Sequence, residues 1–564
     1  MSQTASTEAQ TIGPTGMTPR AFVLLLCAMI VGLLLGALDQ TVVVTALRTI
    51  ADQLHGQAEQ AWVTTSFLVT STISMALYGK LSDMYGRKPL YVAAIVIFLV
   101  GSLASTAAQS LWELSAFRAL QGIGAGGVMS LPMVILSDIV SPRERGKYTG
   151  YIFSVFGVAS VIGPPIGGAF AGLHSFLGVA GWRWIFLVNI PLGLAALAIV
   201  VKALNVPHQR VERKIDIWGV LTLIIGVVPI LVVAEQGSGW GWTSARSLSL
   251  FALAVVGLIA FVLIEIRMGM NALIPMRLFR NGVVSVSNVL NFVLGFGSFG
   301  GFLLPPLYLQ IVLGKSPTQS GLLLVPWMLA TMAGSIGAGR TMAKLGRYKA
   351  VTVIGFGLSM VAMFLFATVK PDTSMTVLIL IMILMGLGFG MCLQPLMLAV
   401  QNVVPPQEIG VATGTTRFSQ QMGGTIGSAT LLSITFNVVV GKAVTAYQNA
   451  RTTPEFIAAM HDRQVQANPA NKAVIDAFVN GKGQLSLNDT SFLAHLDPRI
   501  AKPLLLGFSQ AIDYSFLICG FVMVVAFILV FWLKSVPLSM MSGLQARAKQ
   551  EAGAGAQGDA PDPA

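Results

Sequence analysis

The sequence predicts an all-α polytopic membrane protein, and three observations predict it. Hydrophobic residues make up 54% of its 564 positions and charged ones 10%, against a charged share of about 25% in soluble chains, too little to cover a water-facing surface. The mean hydropathy is +0.76, and many apolar runs reach the roughly 20 residues needed to cross a hydrocarbon core of about 30 Å. The 59 glycines fit the same class, because glycine lets membrane helices approach closely. A net charge of +12 does not imply nucleic acid, since the basic residues sit in short loops rather than in a patch interleaved with aromatics. Cys27, Cys392 and Cys519 lie inside apolar runs and read as small hydrophobes, so no disulfide or metal framework is implied.

Fourteen spans follow in order, at about 21–47, 60–79, 90–109, 113–138, 148–172, 184–202, 217–235, 248–267, 284–307, 321–340, 350–369, 376–401, 409–440 and 512–534. The first run is too long for the core of a signal peptide and stays as a span. Loops after even-numbered spans carry seventeen Lys and Arg, while the short loops after odd-numbered spans carry five, Arg48, Arg183, Arg246, Lys315 and Lys370. By the positive-inside rule both termini are cytoplasmic. The division expected is a cytoplasmic tail (1–20), a six-helix bundle (21–202), two inserted spans with their loops (203–283), spans 9–13 (284–440), an external segment (441–511), span 14 (512–534) and a disordered cytoplasmic tail (535–564). Pro454, Pro469, Pro498 and Pro503 make the external segment a partly helical subdomain, with room for an envelope partner.

An internal repeat links the halves. Gly79-Lys-Leu-Ser-Asp-Met-Tyr-Gly-Arg-Lys recurs, degraded, as Gly339-Arg-Thr-Met-Ala-Lys-Leu-Gly-Arg-Tyr, an offset of 260, and the stretch 141–150 recurs at 405–414, an offset of 264. Both pairs fall in loops on the same side, so six spans, two inserted spans and six more run in parallel orientation. Parallel six-span halves are an architecture of alternating-access carriers.

Two charges stand inside the predicted bilayer. Asp39 lies 8 residues before Leu47, about 12 Å from the outer end of span 1, and Arg118 lies 7 residues after Leu111, about 10 Å from the same face on span 4. A charge at that depth costs at least about 2.5–3.5 kcal/mol on insertion scales, and such charges face the protein interior in pairs. An Asp whose hydration and Arg contact change with conformation can take up a proton on one side and release it on the other. Asp39 and Arg118 are therefore the candidate proton-coupling pair, and an ion pair that merely fixes two helices is the alternative.

The Gly79–Lys88 loop, with Gly79, Asp83, Gly86, Arg87 and Lys88, resembles the loop signature of the major facilitator superfamily. Leu38-Asp39-Gln-Thr41, Arg118-Ala-Leu-Gln121-Gly122, Gly163-Pro164-Pro165-Ile-Gly167-Gly168, Trp182-Arg183-Trp184 through Asn189-Ile-Pro191 and Tyr308-Leu-Gln310 are similar to motifs of its fourteen-span drug:proton antiporter branch. That resemblance implies the major facilitator fold, two six-helix bundles plus two inserted central helices. It implies a cytoplasmic gate at the loop residues with Asp138 placed to pair with Arg87, and an antiporter motif at Gly163, Pro164, Pro165, Gly167 and Gly168 that seals against leak. The departures are Thr45 and Arg48 where the family has Asn and Pro, and a span 10 without an acidic residue.

The activity expected is proton-driven export of lipophilic, cationic drugs or dyes across the cell membrane, with no cofactor, metal or catalytic residue. The bilayer, protons and small lipophilic substrates are the partners. A cavity lined by spans 1, 4, 5, 9, 10 and 13 is expected to include Thr41, Gln121, Phe156, Gln310, Trp327, Met328, Gln394, Arg417 and Phe418, methionine supplying an adaptable wall. Arg417 is placed to meet anionic substrate groups, or to bond Gln394 or Gln421. A dedicated exporter of a siderophore, peptide or envelope lipid, and a non-transporting sensor or scaffold, stand as alternatives. Gly122-Ile-Gly124-Ala-Gly126-Gly127 satisfies a dinucleotide fingerprint but lies within an apolar run without a preceding strand, so it reads as a packing surface. Asn488-Asp489-Thr490 is a glycosylation sequon by its letters alone.

Overall fold

The computed structural model describes residues 19–54, 60–173, 175–204, 216–479, 493, 495–541 and 545. The tail before residue 19, Arg210, Arg213, Lys214, the sequon at 488–490 and the tail after residue 545 lie outside the described residues. The long helices are α1 (Pro19–Gln53), α2 (Gln60–Tyr85), α3 (Arg87–Ala107), α4 (Leu111–Ile139) and α5 (Pro142–Gly172). A two-residue hairpin, β1 (Ser175–Phe176) and β2 (Val179–Ala180), leads through the one-turn α6 (Trp184–Leu187) into α7 (Asn189–Ala203). The inserted hairpin is α8 (Ile217–Trp240) and α9 (Ala245–Met268). The second half holds α10 (Gly282–Leu307), α11 (Pro317–Leu345), α12 (Lys349–Phe366), α13 (Met375–Val403) and α14 (Ile409–Ala450). Short α15 (Pro454–His461), α16 (Arg463–Ala467) and α17 (Pro469–Val474) precede the last long helix, α18 (Pro498–Leu529).

Thirteen spans among the described residues are long and apolar enough to cross a membrane, so the chain is a multi-pass membrane protein. The expected second span, α2, is the long helix that composition alone misses. Its hydroxyls explain both facts: Thr70, Ser71, Thr72 and Ser74 lower its hydropathy, yet each donates to a carbonyl three or four residues back, at 2.6 to 3.0 Å. With their donors satisfied inside the helix, they can be buried against α4 and α14 without water.

Each half has its own core. In the first, Phe22, Tyr91, Phe98 and Leu136 close around α1, α3 and α4. In the second, Tyr308, Phe356, Phe366, Phe389 and Phe516 do the same, Phe366 and Phe516 stacking with centroids 4.0 Å apart. The glycine run of α4 is a packing surface: a Cβ on Gly122 would lie 2.6 Å from Phe67 O, on Gly124 2.3 Å from Phe98 N and on Gly126 2.6 Å from Ser71 O. The halves meet where α5 packs on α11 and α2 on α14. Across that seam Leu223, Val227 and Leu231 of α8 touch a cluster with Ile73 of α2 and Met422 of α14, and Trp242 donates to Ser433 Oγ at 2.8 Å. The inserted hairpin thus covers one seam.

Two boundaries differ from the expectation. α14 runs on to Ala450 and α18 starts at Pro498, so the segment between them is 451–497 rather than 441–511. Lys442, Gln448 and Asn449, and Arg499 and Lys502 at the other end, end the apolar pattern but not the helix. The extensions hold each other, Tyr447 donating to Ile500 O at 2.6 Å and stacking on Phe478 at 5.7 Å.

Candidate transport site

Three helices of the first half bring the intramembrane charges together. Arg118 of α4 pairs with Asp39 of α1, both 1% exposed. Gln121 Nε2 and Asn189 Nδ2, the latter at the start of α7, both donate to Asp39 Oδ1, at 3.0 and 2.9 Å. Arg118 also donates to Gln121 Oε1 at 2.7 Å, and its Cζ sits 4.0 Å from the Phe67 ring centroid. The matching depths expected from the sequence correspond to direct contact. Asp39 accepts three hydrogen bonds, two on Oδ1 and one on Oδ2, which fill three of the roughly four lone-pair sites of a carboxylate. Asn189 was part of the resemblance without a role of its own, because a neutral amide carries no depth penalty that would single it out.

The next two residues of α1, Gln40 and Thr41, line a cavity of about 230 Å³ between the halves. Thr41, Phe156, Trp327, Met328 and Arg417 stand in its wall, as expected. Four expected residues do not: Gln121 is committed to Asp39, Gln394 is buried at 3% away from the wall, Gln310 is exposed in a π-turn over Tyr308–Val312, and Phe418 packs with the α2, α8 and α14 cluster. Arg417 donates to Gln420 Oε1 at 3.0 Å. α2 and α13 join the expected helices through Met75, Phe389 and Leu393. Sequence reasoning missed Met129, Met133 and Met332, whose spacing at i, i+4 in the pairs 129/133 and 328/332 was the available signal.

The Gly79–Lys88 loop joins α2 to α3 and ties them to the second half. Asp83 accepts from the backbone N–H of Gly410 at 3.1 Å and of Val411 at 2.8 Å, capping the start of α14 in the other half. Arg87 holds the loop in place, its Nη1 2.7 Å from Asp83 and its Nε 2.8 Å from Asp138. Gly86, at φ 95°, makes the turn between α2 and α3 that only glycine adopts without strain. Gly79 permits the contact itself, since a Cβ there would stand 2.6 Å from Gly410 O. Lys88 is partly exposed at the rim.

In the second repeat copy Ala343 occupies the position of Asp83, and the latch is inverted. Arg143, at the start of α5, donates to the carbonyl of Ala343 near the end of α11, a cation on a helix C-terminus in place of an anion on an N-terminus. Arg145 adds a bond to Gln401 of α13. The connector after α9 straps the same end: Lys80 donates to Ala272 O at 2.7 Å, and Arg277 pairs with Glu408 just before α14.

The Gly163–Gly168 motif lies on α5, between α1 of its own half and α11 of the other. Gly163 and Gly167 face α1, where added Cβ atoms would meet Thr41 Oγ1 at 2.0 Å and Thr45 Oγ1 at 2.1 Å. Gly168 faces open space, Pro164 is half-buried and Pro165 exposed.

The family model described as Major Facilitator Superfamily matches residues 29–428. The "Multidrug transporter protein MdtP" of Bacillus subtilis (strain 168) is 33% identical over 75% of this chain and 76% of its own length. "Multidrug resistance protein 3" of the same organism is 32% identical over 75% of this chain and 81% of its own length. Among solved structures, the proton:xylose symporter XylE superposes with a TM-score of 0.57 at 16% identity, covering 94% of this chain and 98% of that one; a likeness at that identity speaks for the fold alone.

Proposed function

The chain belongs to the major facilitator superfamily, a transporter rather than an enzyme, and from that premise we propose that it is a proton-driven exporter of lipophilic compounds. The observation that carries the reading is the position of the Asp39 carboxylate. It is buried in a polar knot of Arg118, Gln121 and Asn189, one residue from Gln40 and two from Thr41, which line the cavity. Substrate pressing on that turn of α1 acts on the same helix that carries the proton acceptor, so occupancy of the cavity and protonation of Asp39 are coupled through one rigid element. Arg118 sets the affinity for the proton by how closely it follows the carboxylate.

In this reading the Gly79–Lys88 end is the cytoplasmic gate, the protein sits in the cell membrane with both termini inside, and the proton gradient takes the place of a cofactor. The two relatives named for multidrug transport and resistance support export over uptake. The Gly163 and Gly167 contacts on α1 keep α5 tight against the helix bearing Asp39, the seal an antiporter needs between proton path and cavity.

The test is efflux of a lipophilic dye from proteoliposomes under an imposed pH gradient. Wild-type protein is expected to move dye in step with the gradient and Asp39→Asn to move none against it. Gradient-driven efflux that survives in Asp39→Asn places the coupling residue elsewhere.

A further inference from the structure

The charge of the cavity wall points to the substrate's charge. Among the described residues that line the cavity, Arg417 is the charged one, and the wall contains neither Asp nor Glu. Asp39, next to the lining residue Gln40, is 1% exposed and engaged by three donors, so it presents no carboxylate to a ligand. Arg417 donates through Nη1 to Gln420, a neutral amide that orients the guanidinium while leaving its charge in place. Gln420 and Gln421 stand beside it in the wall, two amides that can each donate to an oxyanion.

The rest of the wall suits an apolar body. Met75, Met129 and Met133 face Met328 and Met332 across the seam, with Phe302 and Trp327 packed at 5.6 Å between centroids. Thioether side chains repack around varied shapes and aromatic rings offer flat faces.

We propose that the preferred substrates of this site are amphipathic organic anions, each with one carboxylate, sulfonate or phosphate group held by Arg417, Gln420 and Gln421 and an apolar body on the methionine wall. The sequence alone favoured cations. A cation entering this cavity would be desolvated against a guanidinium, whereas an anion gains charge-assisted hydrogen bonds of a strength equivalent to about 10- to 100-fold in affinity. The direction of transport rests on the export reading given above; the charge preference rests on the cavity wall. Export also benefits. Exchanging one anion outward for one proton inward moves two positive charges in, so the membrane potential adds to the pH gradient, whereas the same exchange with a monocation moves no net charge.

Two probes with one fluorophore separate the possibilities. N-dansyltaurine carries a permanent sulfonate, and dansylamidoethyltrimethylammonium carries a permanent cation on the same two-carbon linker. Binding to the full chain in zwitterionic nanodiscs is read by tryptophan-to-dansyl energy transfer. The wild type is expected to bind the anion at least about 10-fold tighter, with the preference abolished in Arg417→Gln and largely kept in Arg417→Lys, which retains the charge and shows that the site is still folded. Equal binding, a preference for the cation, or a preference unchanged in Arg417→Gln overturns the proposal. Gradient-driven efflux of the preferred probe is measured separately in proteoliposomes. Anion binding without efflux supports the charge assignment and refutes export, while efflux of the cation alone refutes the charge assignment and leaves export standing.

Discussion

Replacing Asp83 by Asn keeps the shape of the latch and removes its charge, which isolates what the charge does. The carboxylate meets two backbone N–H groups at the start of α14, at 3.1 and 2.8 Å. An anion at a partly buried helix N-terminus is worth up to about 2 kcal/mol, and an Asn oxygen can still accept one of the two bonds. Arg87 keeps Asp138 at 2.8 Å after the change, so the loop stays anchored to its own half and the loss falls on the contact between halves. About 2 kcal/mol is a factor of roughly 30; at that upper limit a closed-to-open ratio of about 100:1 would fall to about 3:1. Tyr85 and Leu345 are 41% and 59% exposed at the same end on opposite halves. Spin labels there, with the exposed Cys27 replaced by Ala and buried Cys392 and Cys519 retained, report the opening by pulsed electron resonance. Asp83→Asn is expected to move a clear fraction of the distance distribution outward. An unchanged distribution in folded variant protein would refute the idea that this charge holds the halves together.

Other substitutions test separate parts of the structure. Gly167→Ala puts a Cβ 2.6 Å from Val42 O as well as against Thr45, whereas Gly168→Ala meets nothing within 4 Å; the first should lower the thermal midpoint of the purified protein through about 1–3 kcal/mol of strain and the second should leave it unchanged. Lys80→Met removes the bond to Ala272 O and is expected to raise hydrogen exchange in the 269–281 strap while exchange in α3 stays constant. Hydrogen bonds from Arg499 hold the Asp462 and Asp497 carboxyls below the usual carboxylate range. Because the folded values are depressed, their contribution is present above the unfolded value near pH 4 and is lost as pH falls through the folded values. Amide protection of 454–474 should therefore hold at pH 7 and drop below about pH 4, and protection that is flat across that window would show the cluster to be idle.

How much of this was legible in the sequence depended on what each residue costs in a bilayer. Asp39 and Arg118 announced themselves because an intramembrane charge must be paired, Arg87 because it stands in a loop motif, and Asp138 because it lies at the inner end of the fourth span, placed to pair with Arg87. Gln121 and Asn189 were visible as letters, but nothing in one sequence says that both reach Asp39 from α4 and α7. The cavity was read less well. Which side of α14 faces the second half is decided by packing, with Gly423 and Gly427 seated against Phe292 and Phe296 of α10, and that rotation turns Arg417, Gln420 and Gln421 inward while Phe418 turns out. The ends of α14 and α18 were lost for a different reason: hydropathy marks where apolar contact stops, while these helices continue through polar residues held by Tyr447. The inverted latch was hidden because Arg143 bonds a backbone carbonyl, and the sequence does not say which carbonyl faces an arginine.

The central claim is that Asp39 couples proton movement to the cavity, and its most direct test is proton flux. Proteoliposomes holding wild type, Asp39→Asn or Asn189→Leu, loaded with a pH dye and brought to a pH gradient, are challenged with a transported substrate. The account predicts substrate-evoked proton movement in the wild type, none in Asp39→Asn although that variant still binds and exchanges substrate, and a shifted pH dependence in Asn189→Leu, which loses one of the three donors. Substrate-evoked proton movement of wild-type size in Asp39→Asn would contradict it.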